Sequence, residues 1–226
     1  MTLIVLPQGS GGSTGGGGTA GLGTFVPPPL TGWTWLNQGT STVVTSADNN
    51  AFTLIKPANG ANAIDFSLYT RPLPASRRVS AAFRTLVGVS MFSGQIPSAG
   101  MCLLESGTGK FVVVSLLVDG SGTIGPGIWA RKYTNVNTFS ADYLSGSLSH
   151  FQDLLWVRMF NGAAGVELRT AEWGLDGENW LSSKVINTTW NDFCVPDRIG
   201  FAIDGYGVPA NTTLGALCKV MSWDDT

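Results

Sequence analysis

From Trp33 to Trp223 the chain repeats one pattern: short runs of alternating apolar and polar residues, each cut off by turn-forming residues. A period of two suits a half-buried β-strand, because successive side chains leave opposite faces of the sheet. Val79, Ala81, Phe83, Thr85 and Val87 share one face, with Ser80, Ala82 and Arg84 on the other. Ile199, Phe201 and Ile203 alternate with Arg198, Gly200 and Ala202, and Val166, Leu168 and Thr170 alternate with Glu167 and Arg169. Phe111–Val118 is apolar on both faces, as a central strand covered from both sides should be, and Leu154–Phe160 is similar apart from Arg158. Further strands are predicted at Trp33–Asn37, Thr40–Thr45, Phe52–Lys56, Ala63–Tyr69, Met101–Ser106, Ile128–Tyr133 and Leu217–Trp223. Between them lie Asn59-Gly60, Asp119-Gly120, Asn161-Gly162, Asp176-Gly177 and Asp204-Gly205, dipeptides that accept the positive φ of tight turns. No helical periodicity of useful length competes. About a dozen strands with short turns predict an all-β fold, an antiparallel β-sandwich or jelly roll. Gly and Pro are spread through residues 28–226 without a break or repeat, so that span reads as one domain.

Composition narrows the function. Hydrophobic residues make up 43% of the 226, enough for a full core without staples. Charged residues are only 12%, and 13 Lys and Arg against 15 Asp and Glu give a net charge of −2. A chain this neutral lacks the basic face that holds nucleic acid or anionic lipid. No run approaches the ~20 apolar residues that span a bilayer, so membrane insertion is not expected. Met1–Leu6 is apolar, but no positive segment precedes it and Pro7-Gln8-Gly9 ends it too early for a secretory signal. A soluble protein made in a cytoplasm is expected. Cys102, Cys194 and Cys218, spaced by 92 and 24 residues, fit neither a disulfide framework nor a zinc site. They read as buried free thiols, with Cys194–Cys218 a pair only if the fold joins them.

The N-terminus differs from the rest. Nine of the fifteen residues 9–23 are glycine, which predicts a flexible tether. Val26-Pro27-Pro28-Pro29 follows as a stiff polyproline-type spacer. Leu3, Ile4, Val5 and Leu6 form a short β-prone apolar tip before the tether. Residues 1–27 therefore read as an extended anchor arm whose tip adds to a strand edge or pocket of a partner.

Three local patterns resemble the concanavalin A-like lectin/glucanase sandwich in the version found in phage structural and tail-appendage proteins. Pro28-Pro29-Leu30-Thr31-Gly32-Trp33-Thr34-Trp35-Leu36-Asn37-Gln38-Gly39 is similar to its opening strand. Leu155-Trp156-Val157-Arg158 with Gly174-Leu175-Asp176-Gly177-Glu178-Asn179-Trp180 resembles its tryptophan hairpin, with Gly174 where the family often has Ser. Pro196-Asp197-Arg198-Ile199-Gly200-Phe201 and Ser222-Trp223-Asp224 resemble its later and closing strands. The likeness spans about residues 28 to 226, and Phe139–Tyr143 also looks like family material. It implies a concanavalin A-like sandwich in a non-enzymatic virion protein: a decoration, fibre or tail-appendage component. Its partners would be other virion proteins reached through the arm. Homo-oligomerisation, in some cases trimeric, belongs to the same expectation. The tryptophans Trp33, Trp156, Trp180 and Trp223 are expected to pack the sandwich.

Chemistry is sparse. His150 is the single histidine and lies in a polar stretch, which leaves no multi-histidine metal site. The glucanase branch of the resemblance carries E-x-D-x-x-E on one strand, where its carboxylates serve as nucleophile and acid/base. No such run occurs. Glu167 and Glu172, and Glu172 with Asp176 and Glu178, are the nearest clusters, and the latter sits at a turn. Hydrolysis is therefore not expected. No cofactor is expected either; calcium has only Asp119, Asp142, Asp204 and Asp224 as candidates by type, without ligand spacing. The alternative function is a carbohydrate-binding receptor module for a host-surface glycan. Trp129, Tyr133, Tyr143 and Trp173 are its candidate sugar-stacking residues, and Trp190 and Tyr206 are further loop aromatics.

Overall fold

A computed structural model describes residues 24–60, 63–87, 98–117, 127–147, 155–160, 170–174, 180–182, 193–208, 210 and 214–226. At 87, 116–117, 127–129, 143–147, 155, 160, 170–174 and 180–182 it describes the backbone. These residues form β1 (Thr34–Leu36), β2 (Thr42–Thr45), β3 (Phe52–Lys56), β4 (Ser67–Pro72), β5 (Arg78–Val87), β6 (Ser98–Glu105), β7 (Lys110–Leu117), β8 (Gly127–Asn135), β9 (Thr138–Ser147), β10 (Leu155–Phe160), β11 (Thr170–Gly174), β12 (Trp180–Ser182), β13 (Arg198–Asp204) and β14 (Ala216–Asp224). The first sheet runs β1-β4-β13-β6-β7-β8-β9, and the second runs β12-β11-β10-β5-β14-β3-β2. Neighbouring strands are antiparallel throughout. The protein is an all-β jelly-roll sandwich.

The alternation decides what each face buries. Val79, Ala81 and Phe83 of β5 meet Ile199, Phe201 and Ile203 of β13 across the gap between the sheets, with Trp223 and Phe52 in the same core. Phe201 stands edge-on to Phe83, ring centroids 5.5 Å apart. β7 serves two layers, as its two apolar faces require. Val112 and Val114 enter the inter-sheet core, while Phe111 and Val113 join Phe66, Leu104 and Tyr133 on the far side of the first sheet. Two glycines let strands lie close. A Cβ on Gly100 would come within 2.1 Å of the Val114 carbonyl oxygen, and one on Gly200 within 2.2 Å of that of Tyr69.

Cys102, Cys194 and Cys218 are free and buried. Burial pushes the thiols of Cys102 and Cys218 up. Two expectations change. β9 runs to Ser147, so the polar stretch Ser145–His150, read from the sequence as a loop, begins inside a strand. The strand predicted to begin at Ala63 begins at Ser67, because Asp65 and Phe66 are held by other contacts: the Asn37 amide donates to Asp65 Oδ1, and the Phe66 N–H donates to the Val136 carbonyl. The tryptophan hairpin is present as pairing: Gly174 lies opposite both Trp156 and Trp180.

The Pro-rich segment is not a free-standing spacer. Val26 N–H donates to Ser222 Oγ at 2.9 Å, and Trp223 N–H donates to the Val26 carbonyl at 2.8 Å. Trp33 Nε1–H donates to the Pro29 carbonyl at 2.6 Å, and Pro28 is buried. The reason lies in β14, whose pairing with β3 stops at Val220 opposite Phe52. Beyond that point β14 still has backbone groups to satisfy, and Val26 takes one of them. Phe25 then covers Trp156, ring centroids 5.4 Å apart, on the outer face of the second sheet. Leu3, Ile4, Val5 and Leu6 lie outside the described residues.

Candidate functional site

Two clusters of polar side chains stand out. The first lies at one end of the sandwich, with Ser41, Lys56, Ser67 and Asp204 buried and Asp65 and Asn37 at its rim. Lys56, inward-facing at the end of β3, is 4% exposed. Its Nζ lies 3.0 Å from Asp65 Oδ2 and donates to Ser67 Oγ at 2.9 Å. Ser41 Oγ donates to Ser67 Oγ at 2.8 Å, and Asn37 Nδ2 donates to Asp65 Oδ1 at 2.7 Å. Behind them Asp204, 2% exposed, accepts the Asp65 N–H at 3.4 Å. Burial pushes the Asp204 carboxyl up to about 7, against the Lys56 charge and the backbone N–H groups of Asp65 and Tyr206. Burial pushes Asp65 up as well, but bonds from Lys56 and Asn37 and the Lys56 charge outweigh it and hold the carboxyl below its ordinary value. These groups satisfy one another and tie the ends of β3, β4 and β13 together.

The second cluster is open. A cleft of about 350 Å³ is lined by Phe25, Pro27, Ser46, Asp48, Asn50, Ala51, Lys219 and Met221. One wall is the β2–β3 connection. Ser46 N–H donates to the Ala51 carbonyl at 2.9 Å, and Ala51 N–H returns to Ser46 Oγ at 3.0 Å. Ser46 Oγ–H donates to Asp48 Oδ1 at 2.6 Å, and Asn50 N–H reaches the same oxygen at 3.2 Å. Asn49 takes φ 57°, a conformation Asn tolerates better than most residues. The hydrogen bond from Ser46 first, then that from the Asn50 N–H, holds the exposed Asp48 carboxyl below its ordinary value. An ionised carboxylate has about four acceptor sites, so these two bonds leave capacity for a ligand.

The floor comes from β14. Its register shifts between Val220 and Ser222, which makes Met221 the extra residue of a bulge. Lys219 is exposed and makes no ion pair among the described residues. Phe25 and Pro27 form the opposite wall. The cleft thus joins an apolar surface to a fixed carboxylate, an amide and an ammonium.

None of the sequence-predicted aromatics is among the described residues that line the cleft. Trp129 and Tyr143 belong to β8 and β9 of the first sheet, and Trp173 to β11 of the second. Their side chains lie outside the described residues. Tyr133 is a correction. It is 4% exposed, with its ring stacked on Phe111 at 4.8 Å and met edge-on by Phe66 at 4.7 Å, so its faces are closed to a sugar. Tyr206 is buried too. Asp142 is paired with Arg131 at 2.8 Å, and Asp224 Oδ1 accepts the Thr226 N–H. No three His, Cys, Asp or Glu among the described residues are grouped to hold a metal. Asp119, His150, Glu167, Asp176, Glu178 and Trp190 lie outside the described residues, and for Glu172 only the backbone is described. Asp48, Asn50 and Lys219 are not singled out by the sequence. Their one signal is the turn-dense run Ser46-Ala47-Asp48-Asn49-Asn50 between two strands.

No family model matches the chain, and no curated protein matches it in sequence. Solved structures resemble it in outline. Lectin I from Ulex europaeus, in complex with the methyl glycoside of α-L-fucose, shares 14% identity over 85% of this chain and 90% of its own, with a TM-score of 0.46. A Lotus tetragonolobus seed lectin shares 10% identity over 88% and 94%, with a TM-score of 0.49. The GH43 BlXynB protein from Bacillus licheniformis shares 11% over 78% of this chain and 33% of its own, with a TM-score of 0.44. This likeness is one of backbone outline.

Proposed function

We propose that the chain is a non-enzymatic carbohydrate-binding module that recognises a glycan in the cleft between the Ser46–Ala51 loop and residues 25–27. The make-up of the cleft carries this reading. A sugar ring offers an apolar face and a rim of hydroxyls, and the cleft offers Phe25, Pro27 and Met221 beside Asp48, Asn50 and Lys219. The polar wall is fixed by its own hydrogen bonds before a ligand arrives, which lowers the ordering cost of binding. Glycoside hydrolysis needs two carboxyl groups about 5 to 9.5 Å apart, and Asp48 is the one acid among the described lining residues. The setting we propose is a phage particle, with Leu3–Leu6 as the anchor. Its support is the motif resemblance and the layout of tip, glycine tether and body.

Glycan-array binding of the full chain tests the reading. The full chain should bind a subset of saccharides, and Asp48→Ala or Asn50→Ala should weaken that binding roughly tenfold. An array with no binding, or binding indifferent to both substitutions, would overturn it. Deleting residues 1–23 leaves Phe25 and Val26 in place. It should abolish co-sedimentation with particles while glycan binding persists.

A further inference from the structure

One wall of the cleft is not part of either sheet. Phe25 and Pro27 belong to the strap that leads from the arm into the body, and three described contacts hold its first residues. These are Val26 N–H to Ser222 Oγ, Trp223 N–H to the Val26 carbonyl, and the Phe25 ring on Trp156. Its other neighbours here, Ala82 and Met221, are small or unbranched side chains. Trp156, the ring that Phe25 covers, has a buried indole Nε1 with no acceptor among the described residues. The described contacts that hold the strap are therefore few.

We infer that residues 24–27 are a ligand-linked strap, so that occupancy of the cleft and docking of the strap strengthen each other. This rests on the glycan-binding reading. A glycan held between Phe25 and Asp48 touches both walls and binds only the docked form well. By linkage it must then stabilise docking by the same factor that docking strengthens its binding. The arm enters the body at this strap, so a partner that draws the arm away opens the cleft, and one that leaves the strap seated preserves it. The anchor and the recognition site would share residues.

Ser222 separates this inference from simple contact loss, because its hydroxyl holds Val26 yet Ser222 does not line the cleft. The probe is the strongest saccharide found on an array of neutral and acidic mono- to tetrasaccharides, titrated into the full chain. Hydrogen exchange at the Trp223 amide reports docking, since Val26 is its acceptor. Saturating saccharide should slow that exchange several-fold in the unsubstituted chain. Ser222→Ala should speed it and weaken saccharide binding about threefold to tenfold. Phe25→Ala should do both more strongly, since Phe25 also lines the cleft; if Ser222→Ala misfolds, Val26→Pro replaces it, because it removes the N–H that Ser222 accepts and Val26 does not line the cleft. Faster exchange in Ser222→Ala with unchanged affinity, or no slowing by saccharide, would overturn the linkage while Asp48→Ala sensitivity keeps the site. If the full chain binds nothing on the array, the glycan reading falls and takes the linkage with it.

Discussion

The molecule uses the same side chains twice, with opposite results. In the first cluster Lys56, Asp65, Asn37 and Asp204 face one another, and Lys56 finds two partners within about 3 Å. In the open cleft Lys219, Asp48 and Asn50 stand around free space, and Lys219 finds no ion-pair partner among the described residues. The two carboxyls respond oppositely: burial pushes Asp204 up to about 7, while the Ser46 hydroxyl holds Asp48 down. Residue type does not separate the roles. A polar group that has used its hydrogen-bonding capacity inside the protein holds the fold, and one with capacity left over is available to a ligand.

The sharpest way to break this contrast is to remove one lysine at a time. Lys56→Met leaves Asp65 and Asp204 without their cation and should lower stability by about 2–4 kcal/mol, read as a lower urea midpoint. The half-exposed Asp65 keeps this at or below the usual range for a broken buried pair. Lys219→Met should leave the midpoint nearly unchanged and weaken glycan binding instead. Equal effects on stability would dissolve the distinction.

A pH series sharpens it further. The folded pKa of Asp204 is raised from 3.8 to about 7, so its contribution is fully present below about pH 4 and is lost as pH rises through 7. Relative to Asp204→Asn, the unsubstituted protein should lose roughly 2–4 kcal/mol of stability between pH 5 and pH 8. The facing groups are Lys56, Asp65, Tyr133 and Tyr206; burial raises both tyrosines, which keeps them above that window, and Asp65, whose pKa is lowered, moves stability only below it. Parallel curves for the two proteins would show that Asp204 does not titrate as its surroundings require.

A smaller effect is expected at the strap. Phe25 is half-buried, so Phe25→Ala should cost about 1–2 kcal/mol in the urea midpoint and shift tryptophan emission as Trp156 meets water. Smallest of all, Asn50→Ala should leave the midpoint within about 0.5 kcal/mol, because Asn50 is exposed and the substitution keeps the Ser46 hydroxyl and the residue-50 backbone N–H on Asp48.

How much of this is legible in the sequence follows from range. Val79–Phe83 and Ile199–Ile203 declare their buried faces through their own alternation, and the structure seats both sets in one core. Tyr133 looks like an exposed ring because nothing nearby in sequence shows that Phe66, 67 positions earlier, closes over it. The strap is misread for a similar reason. Three consecutive prolines describe a stiff segment, but its docking depends on Ser222 and Trp223, nearly 200 residues away. The cleft is the least legible part, since Asp48 and Asn50 look like ordinary turn residues until Phe25 and Lys219 are placed beside them.

The most direct measurement is the hydrogen-exchange footprint of the strongest array saccharide on the full chain. Protection at 46–51 and 221–223, with none at 57–66, is the predicted result. Protection confined to 57–66 would contradict it and move recognition to the Lys56–Asp65 end of the sandwich.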